Sequence, residues 1–422
     1  RNALFNNTTG STNTGIGQQA LTTNTTGSSN TALGRDSLLS NTTASNNTAV
    51  GYVAGYSTTT GALNTFVGRE AAYSNTTGQH NVAIGQSANY ANTTGNYNVS
   101  LGSQALRFNT TASNNTAVGY QAGYSNSTGD RIVAVGEGSL YSNTTGGYNV
   151  ALGSKPLRSN TTGASNVAIG HEALYSNTTA SNNTAVGFEA SYASSTGASN
   201  TAVGWRALTS NTGSNNTAVG NQSLYDSTTG VRNSAYGDNS LANNTTANNN
   251  NAFGYLSLYT NTTGTANVAM GTESLFSNTT ASNNTAVGYQ AGLANTTTEY
   301  NVLMGYRAGY NINGGAGYNT YVGVLAGGST TSGQENTFIG KEAGQNVTTG
   351  SKNTVIGGHN GNDGGVDIRT VSNHIVLSDG DGNPRVWING QGYFHSPPTY
   401  SNTTGAGANL HVESSGQFVR ST

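Results

Sequence analysis

Apolar and polar positions recur along this chain at one spacing. Aligned on the glycine of "NTAVG", Gly34, Gly51, Gly68, Gly85, Gly102 and Gly119 stand 17 residues apart, and the series continues to Gly204. It then shortens by one residue to Gly220, runs on to Gly305, lengthens by one to Gly323 and ends at Gly357. The phrase "NTTASNNTAVGYQAG" occurs near residue 110 and again near residue 279. Each unit reads roughly N-T/V-A-V/I/L-G-x-x-A/S-L/G/A-Y-S-N-T-T-G-x-N. So short and regular a period is the signature of a solenoid.

Within each unit the second to fourth places alternate with period two and carry β-branched residues on one face, which predicts a short strand. The "NTTG" phrase supplies turn formers. A glycine and an Asn-Thr-Thr-Gly break in every copy leave no uninterrupted helical stretch. One coil is therefore expected to be a strand, a bend, a second short strand around "A-L-Y", and the "SNTTG" turn. The predicted fold is all-β: a parallel β-solenoid, or β-roll, of about twenty coils over residues 13–357. A lead-in of residues 1–12 precedes it, and a small β-rich cap of residues 358–422 is expected to close it. Stacked at about 4.8 Å, the coils would make a rod on the order of 100 Å long.

The fourth-place aliphatics Val50, Val67, Ile84, Val118, Ile169 and Val186 are expected to form the shaft core, with Leu106, Leu140, Leu157 and Leu174 of the "AL" phrases. That interior is thin, since a Val, a Leu and an Ala per coil hardly offset the entropy of ordering 17 residues. The third-place alanines Ala49, Ala83, Ala117, Ala168 and Ala185 then fall on the opposite face. A continuous small-residue face permits close approach of another backbone, so the alanines are expected to form the contact face of a homotrimer; a monomeric roll with that face exposed is the alternative.

The phrases "NVAIGQSANYA", "NVSLGSQAL" and "NTAVGYQAGYS" resemble the repeats of trimeric autotransporter adhesin heads. The resemblance implies a left-handed parallel β-roll with three chains to a shaft. It covers most of the chain, but the unit here is longer, and no coiled-coil stalk or anchor barrel accompanies it. Towards the end, "SNHIVLSDGDGNPRVWINGQGYF" and "ANLHVESSGQFVRST" resemble segments that precede the endosialidase-type intramolecular chaperone of phage tail fibres and tailspikes. That resemblance implies a trimer released by self-cleavage, with Thr422 as the expected mature C-terminus. The chain opens on Arg1, and "RNALFNN" has no signal-peptide core, so further sequence is expected before it.

Composition narrows the functional classes. A formal charge of −2 with 8% charged residues gives no basic surface for nucleic acid or an anionic membrane. Cysteine is absent, which excludes a disulfide framework and thiolate metal ligation. No apolar run approaches a membrane span. The histidines, His80, His171, His359, His374, His395 and His411, show no metal or catalytic spacing, and no lysine follows a glycine-rich loop as phosphate binding would require. Neither an enzyme nor a bound metal or cofactor is expected.

Four further features have bland and sharp readings. The Asn-Thr-Thr turns at Asn41, Asn75, Asn143 and Asn177 are N-glycosylation sequons, yet they read first as amide ladders along the rod. Tyrosines at the tenth place, among them Tyr56, Tyr73, Tyr90, Tyr124 and Tyr141, read as braces between coils, with glycan contact as the alternative. "DGDGN" spaces Asp379, Asp381 and Asn383 like a calcium loop, but it lacks the downstream glutamate and reads as a hairpin turn. Threonine arrays raise an ice-binding reading, weakened because these threonines sit in turns.

Taken as a whole, the sequence reads as a homotrimeric structural fibre on the virion surface, a tail fibre or spike for host attachment. Its expected partners are two further copies, other tail or baseplate proteins, and a host glycan or protein receptor, with Trp387, Tyr393 and Phe394 as candidate receptor contacts. A cellular adhesin or extracellular filament with the same roll is the alternative, and an ice-binding protein a third.

Overall fold

A computed structural model describes residues 2–315, 317–396, 410–412 and 418–420. The described residues contain strands, turns and bends, with no helix. Three-residue strands recur once per coil from β1 (Thr14–Ile16) to β21 (Thr354–Ile356), and β22 (Ile375–Ser378) follows them. Each pairs in parallel with the next, always setting second place against second place and third against third. The fold is therefore a parallel β-solenoid with coils of about 17 residues, as the repeat predicts.

The expected second strand around "A-L-Y" is absent. That stretch is a run of turns in which alternate residues take the left-handed conformation, as at Asp36 (φ 57°) and Leu38 (φ 47°). Such alternation cannot form an extended ladder, but its amides still bond to adjacent coils: Leu38 N–H to the Ala54 carbonyl (3.0 Å) and Asp36 N–H to the Gln18 carbonyl (2.9 Å). Backbone satisfaction thus runs along the rod even where strand geometry does not.

The "NTAVG" glycine is required by a close approach. Gly51 has φ 138°, and a Cβ there would stand 2.4 Å from the Gly68 carbonyl oxygen of the next coil. Such stacking, repeated coil on coil, explains why this place never varies along the register.

The interior differs from the expected one. Ala49, Ala83, Ala117, Ala168 and Ala185 are fully buried inside the chain's own roll and are not a face for another chain. Val50, Val67, Ile84, Val118, Ile169 and Val186 point outward instead; Ile84, Val118 and Ile169 are exposed and the other three half-buried. Period-two alternation groups residues by face without saying which face is inside. The interior is shared with two asparagine columns, buried in most coils, and the "AL" leucines, so at most rungs alanine is the strand residue that fits. Leu106, Leu140, Leu157 and Leu174 are buried as expected.

Where the third place is large, its neighbour is reduced. A Cβ at Gly55 would lie 2.7 Å from Phe66, one at Gly327 2.4 Å from Tyr321, and one at Gly344 2.4 Å from Phe338. The fully buried Tyr321 hydroxyl meets the Thr330 hydroxyl at 3.2 Å, and its ring stacks on Phe338 at 5.0 Å. Burial holds that phenol well above its ordinary pKa.

The two irregular coils keep the register. The short one closes its turn as Asn211–Gly213, with the Asn211 amide donating to the Gly213 carbonyl at 2.7 Å, two residues on instead of the usual three. The long one places its extra residue in the turn near Gly315 and Gly317, both at positive φ. After β21 a loop brings Val366 and Ile368 onto the core. The chain then turns antiparallel through β22, β23 (Pro384–Ile388) and β24 (Phe394–His395). A further antiparallel pair joins Leu410–Val412 to Phe418–Arg420. Thr422 lies outside the described residues.

Candidate assembly and recognition surface

The strand that sends alanine inward presents its second and fourth places outward. In β7 (Thr116–Val118), β10 (Val167–Ile169) and β17 (Thr285–Val287) the central alanine is buried and its neighbours are at least partly exposed. Stacked in register, these places make two columns along the rod. From β1 to β21 the second-place column contains Thr, Val, Ser and Asn, the fourth-place column Ile, Leu, Val, Tyr, Phe and Met, and neither contains a charge. An uncharged β face of this length is unlike ordinary protein surface, where apolar patches are small.

Two flanking columns border the face. The trailing flank is the sixth place, just after the glycine, with Tyr52, Tyr120, Phe188, Trp205 and Tyr255 all exposed. The leading flank is the residue before the first-place asparagine, held left-handed (Asn46 φ 62°, Tyr97 φ 58°, Tyr148 φ 59°) and likewise exposed. Sequence reading missed this arrangement because it assigned the fourth place to the interior. The signal was present: a column that tolerates Val, Tyr236, Phe253 and Met270 in succession is not confined by a packed core.

No family model, no curated protein and no solved structure matches this chain.

The sequons lie inside the wall. Asn41, Asn75, Asn143 and Asn177 are fully buried, each donating to the carbonyl three residues on. Their amides also bond from coil to coil, as in Asn160 to Asn143 and Asn177 to Asn160, both 2.8 Å. A second buried column, the first-place asparagine, was not foreseen: the Asn64 amide donates to the Gly78 carbonyl (2.9 Å) while its Oδ1 accepts from the Asn81 backbone N–H (2.9 Å). Most coils thus hide two amides in their core, all but a few of the polar atoms hydrogen-bonded. Thr58, Ser194, Ser227, Ile312, Thr330 and Val347 stand in the turn column, and Ile132 in the first-place column, where the amide is missing.

The tenth-place tyrosines stack face to face, Tyr56 on Tyr73 at 5.0 Å, Tyr73 on Tyr90 at 5.2 Å and Tyr124 on Tyr141 at 4.9 Å. Their faces are consumed by one another, which supports bracing over glycan stacking. Arg107 over Tyr90 and Arg158 over Tyr141 extend the stacks.

Trp387 packs partly against the core and stacks on His395 at 5.0 Å, whereas Tyr393 (67% exposed) and Phe394 (51%) face outward. The structure therefore separates the three candidate contacts. The "DGDGN" segment is a hairpin turn: Asp379 accepts from the backbone N–H of Asn383 (2.9 Å) and Asp381 (3.1 Å) and pairs with Arg385. Its carboxylate is occupied internally, and Arg385, with Asn383, holds it below its ordinary pKa. Among the described residues no group of three acidic, histidine or cysteine side chains could hold a metal, and no helix is long and apolar enough to cross a membrane.

Proposed function

We propose that this chain is the shaft of a homotrimeric fibre that displays a receptor-contacting surface, with a virion tail fibre or spike for host attachment as its setting. The observation that carries the reading is the uncharged, partly exposed β face running from β1 to β21. A face of that extent is stable in water when covered, and a second and third copy offer a cover of identical length and repeat. The interchain contact thus moves from the alanines to the outward columns of the same strands. Tyr393 and Phe394, beyond the last parallel rung, are the residues proposed for receptor contact, and Trp387 serves to hold their hairpin. Host glycans or proteins are the proposed receptors, and other tail or baseplate proteins the proposed neighbours in the virion.

Light scattering on the purified protein, with electron microscopy of the same sample, tests the assembly. A mass of three chains and a rod on the order of 100 Å is expected; an isolated single chain would overturn it. Binding of the particle to host cells, lost in Tyr393→Ala/Phe394→Ala, tests attachment.

A second reading has one observation in its favour. Threonine stands at the second place of many strands, as in Thr184, Thr201 and Thr217, on the strand face and not only in turns. This is the flat array that ice binding needs. Against it, Tyr236, Phe253 and Met270 break the flatness of the neighbouring column. Thermal hysteresis activity of the purified chain would decide for ice binding.

A further inference from the structure

The two flanks of the β face complement each other rung by rung. Where both flanks of a rung are charged, the charges are opposite: Arg131 with Glu137, Arg232 with Asp238, Glu335 with Lys341. The third pair reverses the sign order of the first two, so neither flank is simply basic or acidic. Size follows the same rule. Tyr52 shares its rung with Asn46, Phe188 with Asn182, and Trp205 with Ser199, while Tyr148 on the other flank shares its rung with Ser154. Tyr300 and Tyr306 form a rung in which both flanks are large.

Contact within one chain does not account for this. The two flank residues of a rung are six residues apart, with an extended strand between them that can hold their backbones up to about 20 Å apart. All six charged residues are exposed, and among the described residues none of the three pairs forms an ion pair in the chain. Local contacts occur on flank charges of both kinds: Arg35 pairs with Asp36 and Arg69 with Glu70, while Lys341 pairs with Glu342 and Asp238 accepts from the Asn221 amide. What sets the three rungs apart is the opposite signs across them. Among the described residues Lys352, opposite Gly358, has no ion pair.

We propose that copies of this chain associate in parallel and in register about an axis along the rod, the leading flank of one copy meeting the trailing flank of the next at the same rung. Rotation about such an axis is the operation that brings opposite edges of one face together at equal height. An antiparallel arrangement would set each rung against a different one and scatter the charges. A slip of one rung fails as well: Arg131 would meet Tyr120 or Ser154, and Glu335 would meet Val324 or Gly358. The uncharged columns supply the buried centre of the contact, and the flank pairs form a rim that fixes register. This inference rests on the fibre reading for its partner, a second copy, and adds the alignment.

The absence of cysteine makes the test direct. In the full chain, Arg131→Cys/Glu137→Cys should crosslink between chains with a short bismaleimide, closing into a covalent ring of three on a denaturing gel. Glu335→Cys/Lys341→Cys should do the same, and the off-register pair Arg131→Cys/Asp238→Cys should give no closed species. Glu137→Arg should weaken association at low salt at least several-fold, and Arg131→Glu/Glu137→Arg should restore it. Equal crosslinking of the off-register pair, or none from either in-register pair in particles that still weigh three chains, would overturn the alignment and leave the trimer standing. Particles of one-chain mass would overturn both.

Discussion

Ala168 and Ile169 are consecutive residues on opposite sides of one wall: Ala168 is fully buried, and Ile169 is 37% exposed on the outer face. Their substitutions should therefore fail differently. Ala168→Leu forces a larger side chain into a packed interior and should destabilise the fold by ~1–3 kcal/mol. Ile169→Lys should leave the fold of a single chain nearly unchanged and weaken association. Thermal unfolding and light scattering, run together on both variants, separate the two outcomes.

Phe338 lies against Gly344, where an added Cβ would meet the ring at 2.4 Å, and Gly344 has φ 59°. Gly344→Ala should cost about 3 kcal/mol from overpacking and left-handed strain together. Gly380→Ala, where an added Cβ meets nothing within 4 Å, is the control and should be near neutral. Melting temperatures of the pair check the expectation.

The asparagine ladder is interrupted at Thr58, where the Asn41 Oδ1 and the Thr58 hydroxyl are left buried without partners. Thr58→Asn should restore the ladder between Asn41 and Asn75 and stabilise the chain by about 1 kcal/mol. The opposite change, Asn160→Ala, removes bonds to Asn143, Gly163 and Asn177 and should cost about 2–4 kcal/mol. Denaturant midpoints for the two variants should move in opposite directions.

Because the sequon asparagines are fully buried, a glycan on any of them is incompatible with the coil. Secretion through a glycosylating cell should give glycoprotein that fails to form rods. Mass spectrometry and electron microscopy of that product, beside protein from a non-glycosylating host, check this.

His359 is fully buried beside the last parallel rungs, and among the described residues neither ring nitrogen makes a hydrogen bond of good geometry, although the Gly382 backbone lies near the ring. Its backbone N–H donates to the Ser378 hydroxyl at 3.0 Å. Burial lowers its pKa from the ordinary histidine range, opposed in part by Asp363, the Gly382 backbone and Asp367. The unfolded chain then binds a proton at about pH 6.5 that the folded chain refuses. Stability is accordingly full above that pH and falls as pH drops toward the lowered value. His359→Gln should remove that part of the pH dependence, measured as melting temperature between pH 7.5 and 5.

Much of the fold was legible in the chain. The 17-residue register of glycines, the β-branched alternation, the "NTTG" turns and the "AL" leucines led to a solenoid of about the observed number of coils, with those leucines inside. The hairpin at "DGDGN" was equally readable from its turn residues. The second strand was not, because residues such as Asp36 and Leu38 are left-handed by virtue of the coils above and below, and side chains like leucine carry no local preference for that conformation. The candidate surface was missed for one reason: Val118 and Ala117 alternate identically whichever of them is inside.

What the sequence determined by itself is periodic: the repeat length, the strand in each unit, the turn that follows, and the set of residues that share a face. Those are properties of neighbours in the chain, and φ/ψ preference with side-chain alternation is enough to set them. Only the tertiary structure decided which face closes inward. That choice depends on volume, since in most coils two amide columns, a leucine and an alanine fill the enclosed space, and a larger third-place residue such as Phe66 or Phe338 is admitted where a glycine faces it. The same closure turned an apparent core into an outer face, and brought Arg131 and Glu137 to the two edges of one rung, where a second copy can meet them.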